Sequence, residues 1–222
     1  MAAVRAVVFD LDGTLIDSRL DIAHAANAAL VRAGRTALDP AEIATYVGDG
    51  ARRLMQRAAR VAADDPGLDR LLEDFLRAYE AAATPHTHRM PGAERALTAL
   101  AHLPLAVCTN KPRRTTDIVL GELGLGPHFR AVVAGGDLPV HKPDPAVLRH
   151  TAALLGVEPA ELVMVGDGPQ DVECGRAVAA RTVGVKGGIV PLERLVAAEP
   201  DVLLDSLAEL PDWIERWQAA SR

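Results

Sequence analysis

The second half of this chain alternates short apolar runs with segments of helical length, and this alternation is the feature that most limits its possible folds. The four runs, each preceded by a helical segment, cover residues 105–108, 131–134, 162–165 and 182–185. Strands that alternate with helices of this length predict a parallel sheet with right-handed crossovers. A further run at residues 3–10 is rich in valine and lacks polar alternation, which is typical of a strand buried on both faces.

Between the apolar run at residues 3–10 and the run at residues 105–108, residues 21–83 show only helical patterns. Ser18 followed by Asp21 is similar to a capping box and is expected to start the first helix. The chain is therefore predicted to be an α/β domain with a helical insertion after its first strand. The connections to that insertion are expected near Asp17 and residues 84–90.

Composition narrows the class of protein. Hydrophobic residues make up 49% of the 222 residues and charged residues 24%, which indicates a globular chain. A net charge of −6 and a pI of about 5.6 argue against nucleic-acid binding through phosphate contacts. Two cysteines, Cys108 and Cys174, fit a reducing cytoplasm. No signal peptide or membrane span is expected, and we expect a cytoplasmic monomer or homodimer.

Polar side chains follow the predicted strands at the points where the strands end. In an open α/β sheet, ligands bind outside the carboxyl ends of the strands. The residues at these positions are Asp10 and Asp12, then Thr109, Asn110 and Lys111, then Lys142 in a longer loop, and finally Asp167 and Asp171. Four carboxylates, two lysines and a threonine are therefore expected to meet at one edge of the sheet.

The pair Asp10 and Asp12 is suited to phosphoryl transfer. The two residues are two positions apart, so their side chains point the same way in an extended segment. One carboxylate can attack phosphorus and form an aspartyl phosphate. The other can protonate the leaving oxygen and later activate water.

The remaining residues supply the groups that such a reaction needs. Carboxylate ligands favour Mg²⁺, and Asp167 is placed to complete a site with the first loop. Asp171 falls in the first turn of the next helix, where it can orient waters of the metal or interact with the helix dipole. Thr109 can donate a hydrogen bond to a phosphoryl oxygen, and Lys142 can neutralise charge that develops in the transition state.

Four segments resemble, in order, the four motifs of the haloacid-dehalogenase-like (HAD) phosphatase superfamily. These segments are DLDGTLIDS, Thr109 of CTNKP, Lys142 of HKPDP and VGDGPQD. The segment YVGDGARRLMQRA and the helical insertion narrow the resemblance to phosphoglycolate phosphatases and their close relatives. The resemblance implies a Rossmann-like core of residues 1–16 and 88–222, an α-helical cap domain of residues 17–87, and a Mg²⁺ cofactor.

The resemblance also implies roles for individual residues. Asp10 would be the nucleophile and Asp12 the general acid and base. Asp10, the Asp12 carbonyl and Asp167 would bind Mg²⁺, with Asp171 supporting the metal site. The phosphate would be held by Gly13, Thr109, Asn110 and Lys142, and the rest of a small phosphorylated metabolite would be contacted by Lys111, Arg52 and Arg53. The two arginines are alternatively a solvated helix face.

One of the departures from the family pattern bears on the metal site. The family usually has serine after the Gly-Asp of the fourth motif, whereas this chain has Gly168. The Gly168-Pro169 step can still start a helix, with proline at the first helical position. A hydroxyl contact is lost, which leaves the details of the metal site open.

Lysine is rare in this chain, which has 21 arginines and 3 lysines. The three lysines, Lys111, Lys142 and Lys186, lie just past predicted strands or in their loops. A compact ammonium differs from a planar guanidinium in a tight phosphate site, so Lys142 is expected to serve where arginine would not. Chance placement remains an alternative for Lys111 and Lys186.

Other functions remain open at this point. A phosphomutase similar to β-phosphoglucomutase would need a phosphoenzyme that survives until a second sugar phosphate arrives. A noncatalytic phosphate-binding sensor is a further alternative. The dehalogenases of the family lack the acid at the position of Asp12, and receiver domains carry their acidic pair first in a much shorter chain. A phosphatase of small phosphomonoesters, with phosphoglycolate as the leading substrate, is therefore the main expectation.

Overall fold

The central element of the fold is a parallel β-sheet, observed in a computed structural model that describes residues 3–220. The strands in this range are β1 (Ala6–Phe9), β2 (Ile16–Asp17), β3 (His88–Arg89), β4 (Leu105–Pro112), β5 (Ala131–Gly135), β6 (Leu162–Gly166), β7 (Arg181–Val185) and β8 (Val202–Leu204). The sheet is built from six of them in the order β5-β4-β1-β6-β7-β8, and every neighbouring pair is parallel. The predicted α/β fold class is therefore confirmed.

Strand β1 lies inside the sheet and is buried on both faces. Val8 pairs with Ala106 of β4 on one side and with Met164 of β6 on the other. Val7 and Phe9 belong to one hydrophobic cluster, whereas Val8 belongs to a second. Because alternate residues enter different clusters, the run has no polar face, which explains its continuous apolar sequence.

Helices account for most of the remaining chain. They are α1 (Arg19–Arg32), α2 (Pro40–Ala44), α3 (Ala51–Ala59), α4 (Leu68–Ala81), α5 (Ala93–Ala99), α6 (Arg113–Glu122), α7 (Pro145–Leu155), α8 (Pro169–Ala177), α9 (Leu192–Ala197) and α10 (Leu210–Ala220). Within residues 3–220, no helix has both the length and the apolar character needed to cross a bilayer.

The predicted helical insertion after the first strand is present as α1–α4, which we call the helical insert. Its two connections to the sheet run side by side in the antiparallel pair β2 and β3, where Asp17 pairs with His88. Phe75 and Tyr79 of α4 are buried and belong to the same hydrophobic cluster as Phe9 of the central strand. The insert thus packs on the edge of the sheet where the strands end.

The predicted capping box at the start of α1 is wrong. The Ser18 side chain caps no backbone N–H of α1 and instead donates to Oδ1 of Asp12 at 2.6 Å. The Asp21 carboxylate accepts hydrogen bonds from the His86 backbone N–H at 2.9 Å and from the Thr87 hydroxyl at 2.7 Å. Both side chains therefore bind other segments of the chain, a use that local spacing does not reveal.

Candidate active site

The loop after β1 carries Asp10 and Asp12 to the carboxyl end of the sheet. The Asp10 backbone N–H donates to the Val165 carbonyl at 2.8 Å, so the pairing with β6 extends to this residue. Gly13 then turns the chain with a φ of +88°, and a Cβ atom there would lie 2.1 Å from Oδ2 of Asp167. Both the positive φ and the close approach require glycine, which seats the first loop against the loop after β6.

Lys142 connects two carboxylates at the centre of the site. Its Nζ atom lies 2.9 Å from Oδ1 of Asp10 and 2.6 Å from Oδ1 of Asp171, and its side chain is only 1% exposed. Burial alone would lower the pKa of this ammonium, but Asp10 and Asp171 raise the pKa above its ordinary value. The Asn110 amide binds both the N–H and the carbonyl of Lys142, at 2.9 and 3.0 Å. Lys142 is therefore charged and fixed in position.

Asp167 is held by the loop that follows β7. Its Oδ2 atom accepts hydrogen bonds from the backbone N–H groups of Ile189 at 2.8 Å and Val190 at 3.1 Å. A Cβ atom at Gly188 would lie 2.3 Å from the same oxygen, so the loop approaches Asp167 as closely as its backbone allows. Burial, together with the charge of Asp10, raises the pKa of Asp167 to about 7.

The three carboxylates of Asp10, Asp167 and Asp171 fit a divalent cation. One oxygen from each lies within 4.8 Å of the others, and all three side chains are buried. Fully ionised, three carboxylates and the Lys142 ammonium leave two negative charges in a buried space, which a divalent cation would offset. Since every donor is an oxygen, the group suits a hard cation such as Mg²⁺.

The glycines of the fourth motif make room for neighbouring side chains. The Gly168 backbone N–H donates to Oδ2 of Asp171 at 3.2 Å, and a Cβ atom at Gly166 would lie 2.2 Å from that carboxylate. A Cβ atom at Gly168 would lie 2.4 Å from the amide of Gln170, which is buried. The Gln170 side chain therefore fills the space that a serine side chain at position 168 would enter.

Asp12 belongs to a separate hydrogen-bond network. Its Oδ1 atom accepts from Ser18 Oγ at 2.6 Å and from Lys111 Nζ at 2.9 Å, and Lys111 also donates to the Tyr79 hydroxyl. Burial would lower the pKa of Lys111, but the charge of Asp12 and the contact with Tyr79 raise it. Lys111 is thus a buried cation beside Asp12, rather than a surface lysine.

Thr109 and Asn110 lie within the second half of β4, because the strand continues to Pro112 instead of ending at residue 108 as predicted. The Thr109 hydroxyl accepts from the Lys111 backbone N–H at 3.2 Å, which leaves its own proton available for donation. The Asn110 side chain is occupied, because it holds Lys142 and also donates to the Gly48 carbonyl at 2.9 Å. Asn110 therefore links the loop that contains Gly48, in the helical insert, to the core through a hydrogen bond.

A cavity lies between the sheet edge and the helical insert. Its core side is mostly polar and its insert side mostly apolar, and Lys111 is the cation among the described residues that line it. The lining residues are Asp10, Asp12, Ile22, Val47, Gly48, Gly50, Ala51, Leu54, Phe75, Tyr79, Thr109, Asn110, Lys111 and Pro112. A small substrate in this cavity would contact the core and the insert together.

Arg52 and Arg53 do not reach this cavity. Both are exposed on α3, and Arg52 forms an ion pair with Asp69 of α4. Neither residue is among those that line the cavity, although Ala51 beside them is. A role for the two arginines in substrate binding stays a prediction.

Sequence reasoning missed Tyr79, the hydroxyl of Ser18 and the loop that holds Asp167. Tyr79 occupies an apolar position of an amphipathic helix, which looks the same as an ordinary core position. The loop VKGGIVP contributes only backbone groups to Asp167, so no side chain marks its role. The two adjacent glycines, Gly187 and Gly188, were the only sequence signal in this loop that its backbone approaches another group closely.

Comparison with known proteins shows which family the chain belongs to. A model of the haloacid dehalogenase-like hydrolases matches residues 7–185. This chain belongs to that family. Family membership confirms the predicted resemblance and identifies the chain as a hydrolase with the HAD fold.

Several HAD relatives resemble the chain over nearly its whole length. The phosphoglycolate phosphatase of Chromobacterium violaceum is 39% identical over 215 residues, which cover 94% of this chain and 96% of that protein. The phosphoglycolate phosphatase of Neisseria meningitidis is 37% identical, with 93% and 92% covered. A crystal structure of a predicted phosphoglycolate phosphatase from Haemophilus somnus superposes with a TM-score of 0.87 at 27% identity, covering 96% of this chain and 98% of that one.

Proposed function

We propose that this HAD protein is a Mg²⁺-dependent hydrolase of small phosphomonoesters that works through an aspartyl phosphate on Asp10. The observation that carries the proposal is the buried contact of Lys142 with both Asp10 and Asp171. Asp10 lies at the wall of the cavity, which Asp12 lines as well. Phosphoglycolate is the leading substrate, because the relatives from Chromobacterium violaceum and Neisseria meningitidis carry that name. The buried free cysteines, Cys108 and Cys174, support a reducing cytoplasm as its location.

The first chemical step transfers the phosphoryl group to the protein. A carboxylate oxygen of Asp10 forms a bond to phosphorus while the bond from phosphorus to the ester oxygen breaks. Asp12 donates a proton to that oxygen, which leaves as an alcohol. The ammonium of Lys142 stabilises negative charge that develops on the phosphoryl oxygens.

The second step releases inorganic phosphate. Asp12 takes a proton from a water molecule as the water oxygen attacks phosphorus, and the bond between phosphorus and Asp10 breaks. Thr109, Asn110 and Gly13 are proposed to hold the phosphate group during both steps. Asp12 thus ends the cycle protonated and ready for the next substrate.

Asp10 and Asp167, together with the carbonyl of Asp12, would hold Mg²⁺, and Asp171, which contacts Lys142, would support the metal site. When bound, the ion would offset the charge of the carboxylates and of the phosphoryl group. The loop that fixes Asp167 through Ile189 and Val190 keeps one ligand of the site in a constant orientation.

We also propose that residues 17–87 act as a cap domain over a core of residues 1–16 and 88–222. The paired strands β2 and β3 join the two parts, and Gly48 of the insert contacts Asn110 of the core. A cap in this position would exclude water and contact the non-phosphate part of the substrate. Lys111, Arg52 and Arg53 are the proposed contacts for that part.

Steady-state kinetics test this proposal. We expect phosphate release from phosphoglycolate with a higher kcat/KM than from sugar phosphates, nucleotides or pyridoxal phosphate, and loss of turnover after chelation of divalent metal. Recovery of turnover on adding Mg²⁺ would support the cofactor assignment. Transfer of the phosphoryl group to a second sugar phosphate, without net phosphate release, would indicate a phosphomutase instead.

A further inference from the structure

Asp12 is held through one of its two carboxylate oxygens. Ser18 and Lys111 both donate to Oδ1, at 2.6 and 2.9 Å. Among the hydrogen bonds of residues 3–220, none is made to Oδ2. Asp12 lines the cavity, so the arrangement fixes one oxygen and leaves the other available to a substrate there.

Tyr79 is the second side chain that contacts the Lys111 ammonium. The Lys111 ammonium donates to the Tyr79 hydroxyl and lies 4.3 Å from the centre of its ring. Burial raises the pKa of Tyr79 to about 12, so the hydroxyl remains neutral while it accepts this hydrogen bond. A neutral hydroxyl and an aromatic face can both stabilise a buried ammonium.

The contact between Tyr79 and Lys111 crosses from the helical insert to the sheet. Tyr79 belongs to α4, whereas Lys111 lies near the end of β4. Lys111 is buried, with a side chain that is 1% exposed. If α4 moved away from the sheet, Lys111 would lose one of the two side-chain partners that it has among residues 3–220 and would become exposed to water.

We propose that Tyr79 is a positioning residue that acts through Lys111 to aim Oδ2 of Asp12 at the leaving oxygen of the substrate. The inference rests on the proposed phosphatase function. In the step concerned, the bond from phosphorus to the ester oxygen breaks as the bond to Asp10 forms, and the proton on Oδ2 of Asp12 moves to the ester oxygen. Because Tyr79 belongs to the insert, Asp12 is fully oriented only when the insert packs on the core.

The test compares substrates that differ only in their need for a proton. A series of substituted phenyl phosphates without carboxylates, from p-nitrophenyl phosphate to phenyl phosphate, spans good to poor leaving groups. The quantity to measure is kcat/KM, which reports on the steps up to the phosphoenzyme. Misplacement of the proton donor slows poor leaving groups more than good ones.

The variant Y79F removes the hydroxyl and keeps the ring. We expect kcat/KM to fall about tenfold for phenyl phosphate and less than about twofold for p-nitrophenyl phosphate, a part of the 10²- to 10⁴-fold that a positioned acid contributes. S18A removes the other hydrogen bond to Oδ1 of Asp12. It should also make kcat/KM fall more steeply from good to poor leaving groups. Y46F is the matched control, since Tyr46 is also in the insert but donates to Glu42 at 2.8 Å, outside the network.

The outcomes separate this inference from the proposed function. If kcat/KM depended on the leaving group with the same slope in Y79F and wild type, the positioning role would be overturned and the phosphatase function would stand. A loss confined to phosphoglycolate, with the phenyl series unchanged, would also overturn it, because Tyr79 would then act on the substrate carboxylate. A wild-type protein that hydrolyses none of these esters would overturn both proposals. The expected result is that kcat/KM depends more steeply on the leaving group in Y79F and S18A than in wild type, with Y46F unchanged.

Discussion

The Nζ atom of Lys142 lies 2.9 Å from Oδ1 of Asp10, and both side chains are buried. The same ammonium contacts Asp171 at 2.6 Å, so one lysine spans the first loop and the fourth motif. The chain has only 3 lysines against 21 arginines, and this position holds one of them. The space around Nζ explains the choice, since a guanidinium is larger and its planar donors cannot meet both carboxylates in the same geometry.

We therefore expect K142R to be nearly as damaging as K142A. Each should lower kcat by roughly 10²-fold or more, the scale of one contact that stabilises developing charge. K186R is the matched control, because Lys186 is a surface residue paired with Asp205. The measurement is kcat under saturating Mg²⁺, with circular dichroism to confirm folding. If K142R kept more than about half of wild-type kcat, a positive charge of either shape would suffice for catalysis, and the requirement for lysine at this position would be wrong.

Gly188 offers a test of how Asp167 is held. A Cβ atom there would lie 2.3 Å from Oδ2 of Asp167, so G188A must displace the carboxylate or the loop. We expect the Mg²⁺ concentration for half-maximal activity to rise about tenfold or more, as for other residues that orient metal ligands. G121A is the control, since a Cβ atom at Gly121 meets nothing within 4 Å. Equal Mg²⁺ dependence in the two variants would contradict a role for this loop.

The pKa of Asp167 gives a pH-dependent prediction for stability. Burial raises this pKa from 3.8 to about 7, so the folded metal-free protein retains a proton that the unfolded chain releases. The stability that this carboxyl contributes is present below about pH 4 and is lost as the pH rises through about 7. A cation bound to the ionised cluster replaces that proton.

Mg²⁺ should therefore stabilise the protein more at about pH 8 than at about pH 5. At a fixed concentration of ten times its Kd at pH 8, the ion should raise Tm by about 4 °C at the higher pH and by much less at the lower pH, where its Kd is larger. Thermal unfolding followed by circular dichroism is the measurement, and D167N should abolish the shift. The same shift at both pH values would show that Mg²⁺ does not act through this cluster.

The sequence predicted the sheet and the loops at its edge because both carry strong local signals. A run such as residues 3–10 is apolar without alternation only when both faces are buried, and Asp10 and Asp12 follow it directly. The structure brings Asp10 together with Lys142, Asp167 and Asp171, as expected from parallel strand ends, whereas Asp12 contacts Lys111 beside them.

Other features could not be predicted, for physical reasons that differ. Strands β2 and β3 have two residues each, too few for a pattern to register. The hydroxyl of Ser18 has a local use as a helix cap that competes with its observed contact to Asp12. Tyr79 contacts Lys111 across 32 positions of sequence, and its surroundings on α4 are those of a core residue.

The most direct test of the central claim is chemical trapping of the phosphoenzyme. Protein mixed with phosphoglycolate and Mg²⁺ is quenched during turnover and treated with borohydride, which reduces an acyl phosphate to an alcohol, and the peptides are then sequenced by mass spectrometry. We predict conversion of Asp10 to homoserine, dependent on both substrate and Mg²⁺, with Asp12 unmodified. Rapid hydrolysis with Asp10 unmodified, or conversion at Asp12 instead, would contradict the account.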